Sequence, residues 1–119
     1  MNKINLEQKL GLFSDYWSPK IVGELNGQLI KLAKFKGEFV RHKHDNEDEF
    51  FYVIKGVLKI ELPDKEVTIN EGEFIIIPRG IEHKPVAEEE VHVLLFEPET
   101  TLNTGDTTNE LTKEIPERI

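Results

Sequence analysis

"VRHKHDNEDEFFYVIKG", residues 40–56, sets two histidines two positions apart and a glutamate five residues after the second. Along an extended strand, residues i and i+2 point to the same face. "RHKH" therefore sends His42 and His44 one way and Arg41 and Lys43 the other. The cationic pair suits water, so the histidines take the inner face, where an unpartnered imidazole is costly. The acidic bend "DNED" turns the chain, and Glu49 then opens an apolar run. An antiparallel return would bring its carboxylate beside the two imidazoles. By parity, Phe51 and Val53 share the face of Glu49 and line the interior, whereas Tyr52 points outward.

Two imidazoles side by side can offer two nitrogens to one divalent ion, and a carboxylate adds an oxygen while offsetting charge. The plainer reading is that a lone histidine is a surface or satisfied core residue, and that an acidic loop is simply solvated. A third histidine bears on the choice. In "GEFIIIPRGIEHKP", residues 72–85, Pro78 and Gly80 shape a turn and His83 follows it. Three of the four histidines thus fall near strand ends, where a closed β-fold can gather them. The fourth, His92, lies in "VHVLLFEP" with the parity of Leu94 and Phe96. Either face of that strand can turn inward; His92 reads as a surface residue.

Outward from this stretch, residues 21–98 read as short strands between turn signals. Asn26-Gly27 is a hairpin dipeptide, and "LIKLAKF" (29–35) reads as a strand with one wet face. Lys55-Gly56, between "FFYVI" and "VLKIEL", suggests a tight hairpin. Turns follow at "LPDKE", "NEGE" and "PRG". That rhythm predicts an all-β sandwich or barrel, and no long helical pattern interrupts it. Ahead of it, Asn5 and Gln8 make a capping pair for one short helix that stops at Gly11. Ile4, Leu6, Leu10 and Phe13 would dock that helix, and Trp17 reads as a packing anchor. The irregular polar tail, 99–119, cannot fold alone; it wanders or lies across the barrel or a partner subunit. The whole, 1–119, is expected to be one domain with a core at about 21–98.

Composition narrows the chemistry. The chain has no cysteine, which excludes disulfides, thiolate ligands and cysteine nucleophiles together. A formal net charge of −8 disfavours nucleic acid and anionic membrane as partners. No apolar run approaches the roughly 20 residues of a membrane span, and the start lacks a secretory signal pattern. A cytoplasmic protein is expected.

The two histidine segments resemble the paired signature motifs of the cupin superfamily. Gly37, four residues, His42, His44, four residues, Glu49, six residues and Gly56 follow the first motif, one residue short in the opening gap. Gly72, Pro78, Gly80 and His83 follow the second, with Ala87 where asparagine is usual. Fifteen residues separate the motifs, as in compact single-domain members. The resemblance implies a double-stranded β-helix, or jelly-roll barrel, in which His42, His44, Glu49 and His83 hold a divalent metal. It also implies a homodimer. The chain looks most like small members described as similar to mannose-6-phosphate isomerase, whose reactions are open.

With three histidines and one glutamate as ligands, Fe, Mn, Ni, Co, Cu and Zn all suit the donor set. One or two coordination positions would stay open to a small molecule. The expected pocket lining, Phe51, Val53, Phe74 and Ile76, is apolar and favours a small chelator over a phosphorylated sugar. No second acid–base group stands out beside the ligands. The expected function is a metal-dependent enzyme acting on a small molecule, of oxygenase or isomerase type. The alternatives are a metal-dependent binding module without turnover and a structural metal site.

Overall fold

The structure, a computed structural model, describes residues 1–119. It is built from one short helix, α1 (Leu6–Leu10), and eight strands: β1 (Lys20–Leu25), β2 (Gln28–Glu38), β3 (Glu49–Lys55), β4 (Leu58–Glu61), β5 (Glu66–Ile69), β6 (Phe74–Ile77), β7 (Lys84–Pro98) and β8 (Glu117–Arg118). Strand order runs β5-β4-β7-β2-β1-β8, and β3 bridges β6 to β7. The strands wrap into a jelly-roll barrel around a core of Phe35, Phe51, Val53, Leu58, Ile60, Val91, Val93 and Leu95. No helix is long and apolar enough to cross a membrane.

The longest strands organise the rest. β2 and β7 run antiparallel from Gln28↔Pro98 to Glu38↔Val86, with a register shift between Phe35 and Gly37. Ahead of them, Asn26 (φ 51) and Gly27 (φ 77) make the β1–β2 hairpin, both in the left-handed region that such a turn requires. Asn5 accepts a hydrogen bond from the Gln8 backbone N–H and caps α1 as its spacing predicts. Leu10 then packs with Val22 and Leu32 on the outer side of the barrel wall.

Two expectations need correction, and one left open resolves to one of its alternatives. Lys55-Gly56 is not a tight hairpin. β3 pairs with β6 and β7, whereas β4 pairs with β5 and β7, so the chain bends at Gly56 instead of reversing. Gly56 sits at φ 94 so close to β7 that a Cβ would lie 2.9 Å from the Glu90 carbonyl oxygen. A bend pressed this tightly against a neighbouring strand accepts glycine alone.

"LIKLAKF" does not have one wet face either. Lys31 points inward and is 1 % exposed, while Lys34 turns outward, its Nζ donating to the Phe13 carbonyl at 2.6 Å. The outer side is covered by α1 and Phe13, so neither face of β2 is simply solvated.

The tail, finally, is ordered against the barrel. Thr104 is fully buried, the Asp106 N–H donates to the Lys43 carbonyl at 2.9 Å, and Ile119 N–H donates to Ile21 at 3.0 Å. Its last residues add β8 parallel to β1. Individually weak polar contacts hold this segment because the barrel supplies the surface that it lacks.

Candidate metal centre

His42 and His44 leave β2 in an extended segment whose parity follows the alternation: both imidazoles are buried and Arg41 is exposed, paired with Glu61 at 3.0 Å. His42 and His83 form an isolated antiparallel bridge. The turn before His83 is closed by Ile81 N–H donating to Pro78 and by Gly80 N–H donating to the His44 carbonyl at 2.7 Å. Glu49 begins β3 opposite Ile77. Four side chains from three separate stretches therefore meet at one end of the barrel.

Their donor atoms all lie within 4.8 Å of one another. Ligands on opposite sides of an ion bonded at about 2.1 Å stand about 4.2 Å apart, so the cluster has the dimensions of a coordination sphere. His42 Nδ1 donates to the Val40 carbonyl at 2.8 Å and His83 Nδ1 to the Ile81 carbonyl at 3.0 Å. Each bond fixes the tautomer that leaves Nε2 as a lone-pair donor, the outer support that metal-binding imidazoles need. His42 Nε2, His44 Nε2, His83 Nε2 and Glu49 Oε2 are buried and have no hydrogen-bond partner outside the cluster; within it Glu49 Oε2 faces the Nε2 atoms of His44 and His83. Four convergent donor atoms with only one another to meet would be costly in a barrel without a cation among them. The residues present fit a divalent ion.

Electrostatics supports the same arrangement. Burial, helped by the nearby His83, lowers the pKa of His42 to about 4 and keeps it neutral. Burial also disfavours charge on His44, but the Glu49 carboxylate against its Nε2 outweighs that and raises its pKa. For Glu49 itself, burial alone would raise the pKa; hydrogen bonding to His44 and His83 overcomes it and holds the carboxyl below the ordinary range. One carboxylate is thus ionised and poised among imidazoles.

A small cavity of about 20 Å³ opens beside the cluster, its walls including Trp17, Phe35, Phe39 and Phe51. Trp17 stacks on Phe35 and Phe39 with centroids 4.3 and 4.7 Å away. It is held at φ 58, a strained setting for a tryptophan, by its backbone N–H to Lys34 and its indole N–H to Lys36, both 2.9 Å.

Of the residues expected to line this space, Phe51 does so and Val53 is buried in the adjoining core. Phe74 and Ile76 do not. They are 57 % and 54 % exposed, because Phe74↔Tyr52 and Ile76↔Phe50 pairing puts them on the outer face, leaving Ile75 and Ile77 the inward parity. His92 also lies on the outer side, its Nε2 2.6 Å from Glu90.

Two polar residues of the cavity wall escape the sequence reading: Glu97, 2 % exposed and bonded through Oε1 to buried Lys31 Nζ at 2.8 Å, and Asn103 from the tail. Glu97 shares parity with Val91, Val93 and Leu95, a face that "VHVLLFEP" alone leaves open as inner or outer. For Asn103 no local signal exists.

The cupin domain family matches residues 29–98. A solved cupin-2 domain containing protein from Shewanella frigidimarina NCIMB 400 is 44 % identical, with a TM-score of 0.79 over 80 % of this chain and 93 % of that one. Protein NMB1881 from Neisseria meningitidis is 30 % identical, with a TM-score of 0.75 over 82 % and 99 % of the two chains. The uncharacterised protein YdbB of Bacillus subtilis is 36 % identical over 64 residues, a match spanning 53 % of this chain and 57 % of that relative.

Proposed function

The chain belongs to the cupin domain family, and on that premise we propose that it is a metal-dependent enzyme acting on a small molecule. His42, His44, Glu49 and His83 hold one divalent ion, drawn from Fe, Mn, Ni, Co, Cu and Zn. The observation that carries this reading is the convergence of four buried donors lacking any other partner. An ion bound there would act as Lewis acid and template for a ligand entering from the aromatic cavity. The residues around it do the rest: the tautomer-fixing carbonyls orient the imidazoles, and the Trp17 wall excludes water.

Turnover is favoured over a purely structural metal because a second carboxyl, Glu97, lines the same cavity. Oxygenase and isomerase chemistry both suit an open coordination position beside an acid–base group. The test loads the protein with each metal in turn and follows oxygen uptake and product formation on a panel of small diketones and phenols. Turnover by wild type that disappears in His42→Ala supports the proposal; inactivity with every metal removes it.

A homodimer belongs to the same reading. Phe74 and Ile76, exposed beside Phe50 on the outer face of β3 and β6, offer apolar surface for a second copy. The cytoplasmic setting expected from composition is also part of it, testable by fractionation.

A further inference from the structure

The four candidate ligands are sealed from solvent. His42, His44, Glu49 and His83 are each at most 5 % exposed, and the cavity beside them, about 20 Å³, has room for about one water. A small molecule therefore reaches the cluster only if part of the cover moves. Most of that cover is paired strand: Phe35 on β2, Phe51 on β3, Leu95 and Glu97 on β7. Trp17 is tied by two hydrogen bonds and stacked on two rings. Asn103 alone comes from the tail, whose Gly105 lies against His42 and the Lys43 carbonyl.

That part of the tail is built as a separate piece. Residues 103–113 bond chiefly among themselves: Asn103 Nδ2 donates to the Leu111 carbonyl at 2.9 Å, Asn103 Oδ1 accepts from the Lys113 N–H at 2.8 Å, and the Thr104 and Thr112 hydroxyls meet at 2.7 Å. Both ends are anchored. Pro98 ends β7, and β8 pairs with β1, where Glu117 Oε1 lies 3.3 Å from buried Lys20 Nζ. Between the anchors, three hydrogen bonds cross to the segment that carries the histidines. Asp106 N–H donates to the Lys43 carbonyl at 2.9 Å, Lys43 N–H donates to Asp106 Oδ1 at 3.0 Å, and the Thr100 hydroxyl donates to Glu47 at 3.2 Å. Leu111 adds an apolar contact with the core. Along this seam runs an open cleft of about 200 Å³, between His44, Asn46 and Glu47 on the barrel and Thr100, Leu102 and Gly105 on the tail. The seam leads from solvent to a candidate ligand.

We infer that residues 99–116 are a lid, latched by Asp106 on the Lys43 backbone, which lifts at this seam to admit a small molecule to the four donors. This rests on the metal reading above and adds the step that makes its site accessible. The internal bonds let the lid move as a unit between its two anchors. Three hydrogen bonds and one apolar contact hold it, so it opens more readily than any strand of the barrel. The carboxylates of Asp45, Glu47 and Asp106 at the mouth favour neutral or cationic molecules over anions.

The experiment mixes cobalt(II)-loaded protein with imidazole at pH 8 in a stopped-flow instrument and follows the visible absorption of the cobalt. Imidazole is mostly neutral there and too large for the closed cavity. Cobalt content of wild type and Asp106→Ala is determined first. The wild-type binding rate is expected to level off as imidazole is raised, at the rate of lid opening. In Asp106→Ala the plateau should rise about fivefold or more with cobalt retained. Rates that climb linearly with imidazole, or a plateau unmoved by Asp106→Ala, overturn the lid and leave the metal reading standing. No imidazole binding by either cobalt-loaded protein also overturns it. If the variant fails to fold or to keep cobalt, amide hydrogen exchange of the cobalt-loaded wild type decides. Amides of 103–113 exchanging about 100-fold or more faster than those of Val91 and Val93 support the lid, and equal protection overturns it. Failure of wild type to take up cobalt overturns the metal reading, and this proposal falls with it.

Discussion

His42 and His83 exchange both backbone hydrogen bonds, His42 N–H to His83 O at 3.0 Å and His83 N–H to His42 O at 2.8 Å. Two of the candidate ligands are therefore locked to each other through the main chain, independently of what their rings hold. Removing a single imidazole should then cost metal without costing the fold. His44→Ala is expected to keep the wild-type circular dichroism spectrum and to lose metal affinity by at least about 100-fold. Elemental analysis after dialysis checks it; stoichiometric metal in the variant would reject His44 as a ligand.

Metal affinity should fall on mild acidification, and one histidine should cause it. Ligand imidazoles must be neutral, so protons compete with the ion. His42 titrates near about 4 and stays neutral through the physiological range. His44, raised by Glu49, takes up a proton above the ordinary imidazole pKa, so affinity is highest above that raised value and declines as pH drops through it. Chelator competition between pH 8.5 and 5.5 measures the slope; a flat profile would contradict the assignment.

The tail should matter to the site that it crosses. Gly105 lies at φ 58, and a Cβ there would stand 2.2 Å from the Lys43 carbonyl oxygen and 2.9 Å from His42 Cδ2. Gly105→Ala should destabilise by about 1–3 kcal/mol through backbone strain and contact, lowering the melting temperature by several degrees. Because Lys43 lies between two candidate ligands, metal affinity should fall with it. An unchanged melting curve would show that the segment does not pack here in solution.

How far the sequence reaches is clear from these same residues. The convergence of His42, His44 and His83 was legible because two devices are local: period-two alternation buries His42 and His44 together, and the turn at Pro78 and Gly80 aims His83. The helix cap was legible for the same reason. Parity, however, identifies residues that share a face without saying which face is inside. Phe74 and Ile76 were placed on the wrong side for that reason. Lys31 could not be read as buried, because its partner Glu97 is 66 residues away and only the β2–β7 register brings them together. The tail was illegible as structure, since its order comes from the barrel beneath it.

That buried pair should behave asymmetrically on mutation. Burial and the nearby Glu49 raise the Glu97 pKa to about 7 despite Lys31. A carboxyl with a raised folded pKa stabilises most below its unfolded value, and stability falls as pH rises through the folded value. Lys31→Met removes the cation that limits this rise, stranding a buried charge once Glu97 ionises. The cost should reach about 3–5 kcal/mol at pH 8 and be smaller at pH 5.5. Lys31→Met/Glu97→Leu should recover much of the loss. Equal melting temperatures for wild type and Lys31→Met at pH 8 would contradict the buried ion pair.

The outer face of β3 and β6 offers the last test. Phe50 and Phe74 sit with ring centroids 5.1 Å apart, and Ile76 lies beside them, more than half exposed. Isolated exposed apolar residues are ordinary, but a contiguous cluster on one sheet face marks an interaction surface. If a second copy covers it, Phe74→Glu/Ile76→Lys should shift the protein from dimer to monomer in sedimentation velocity without lowering metal content, because neither side chain faces the cavity. A wild-type protein that sediments as a monomer across the micromolar range would remove the homodimer and leave this face to another partner.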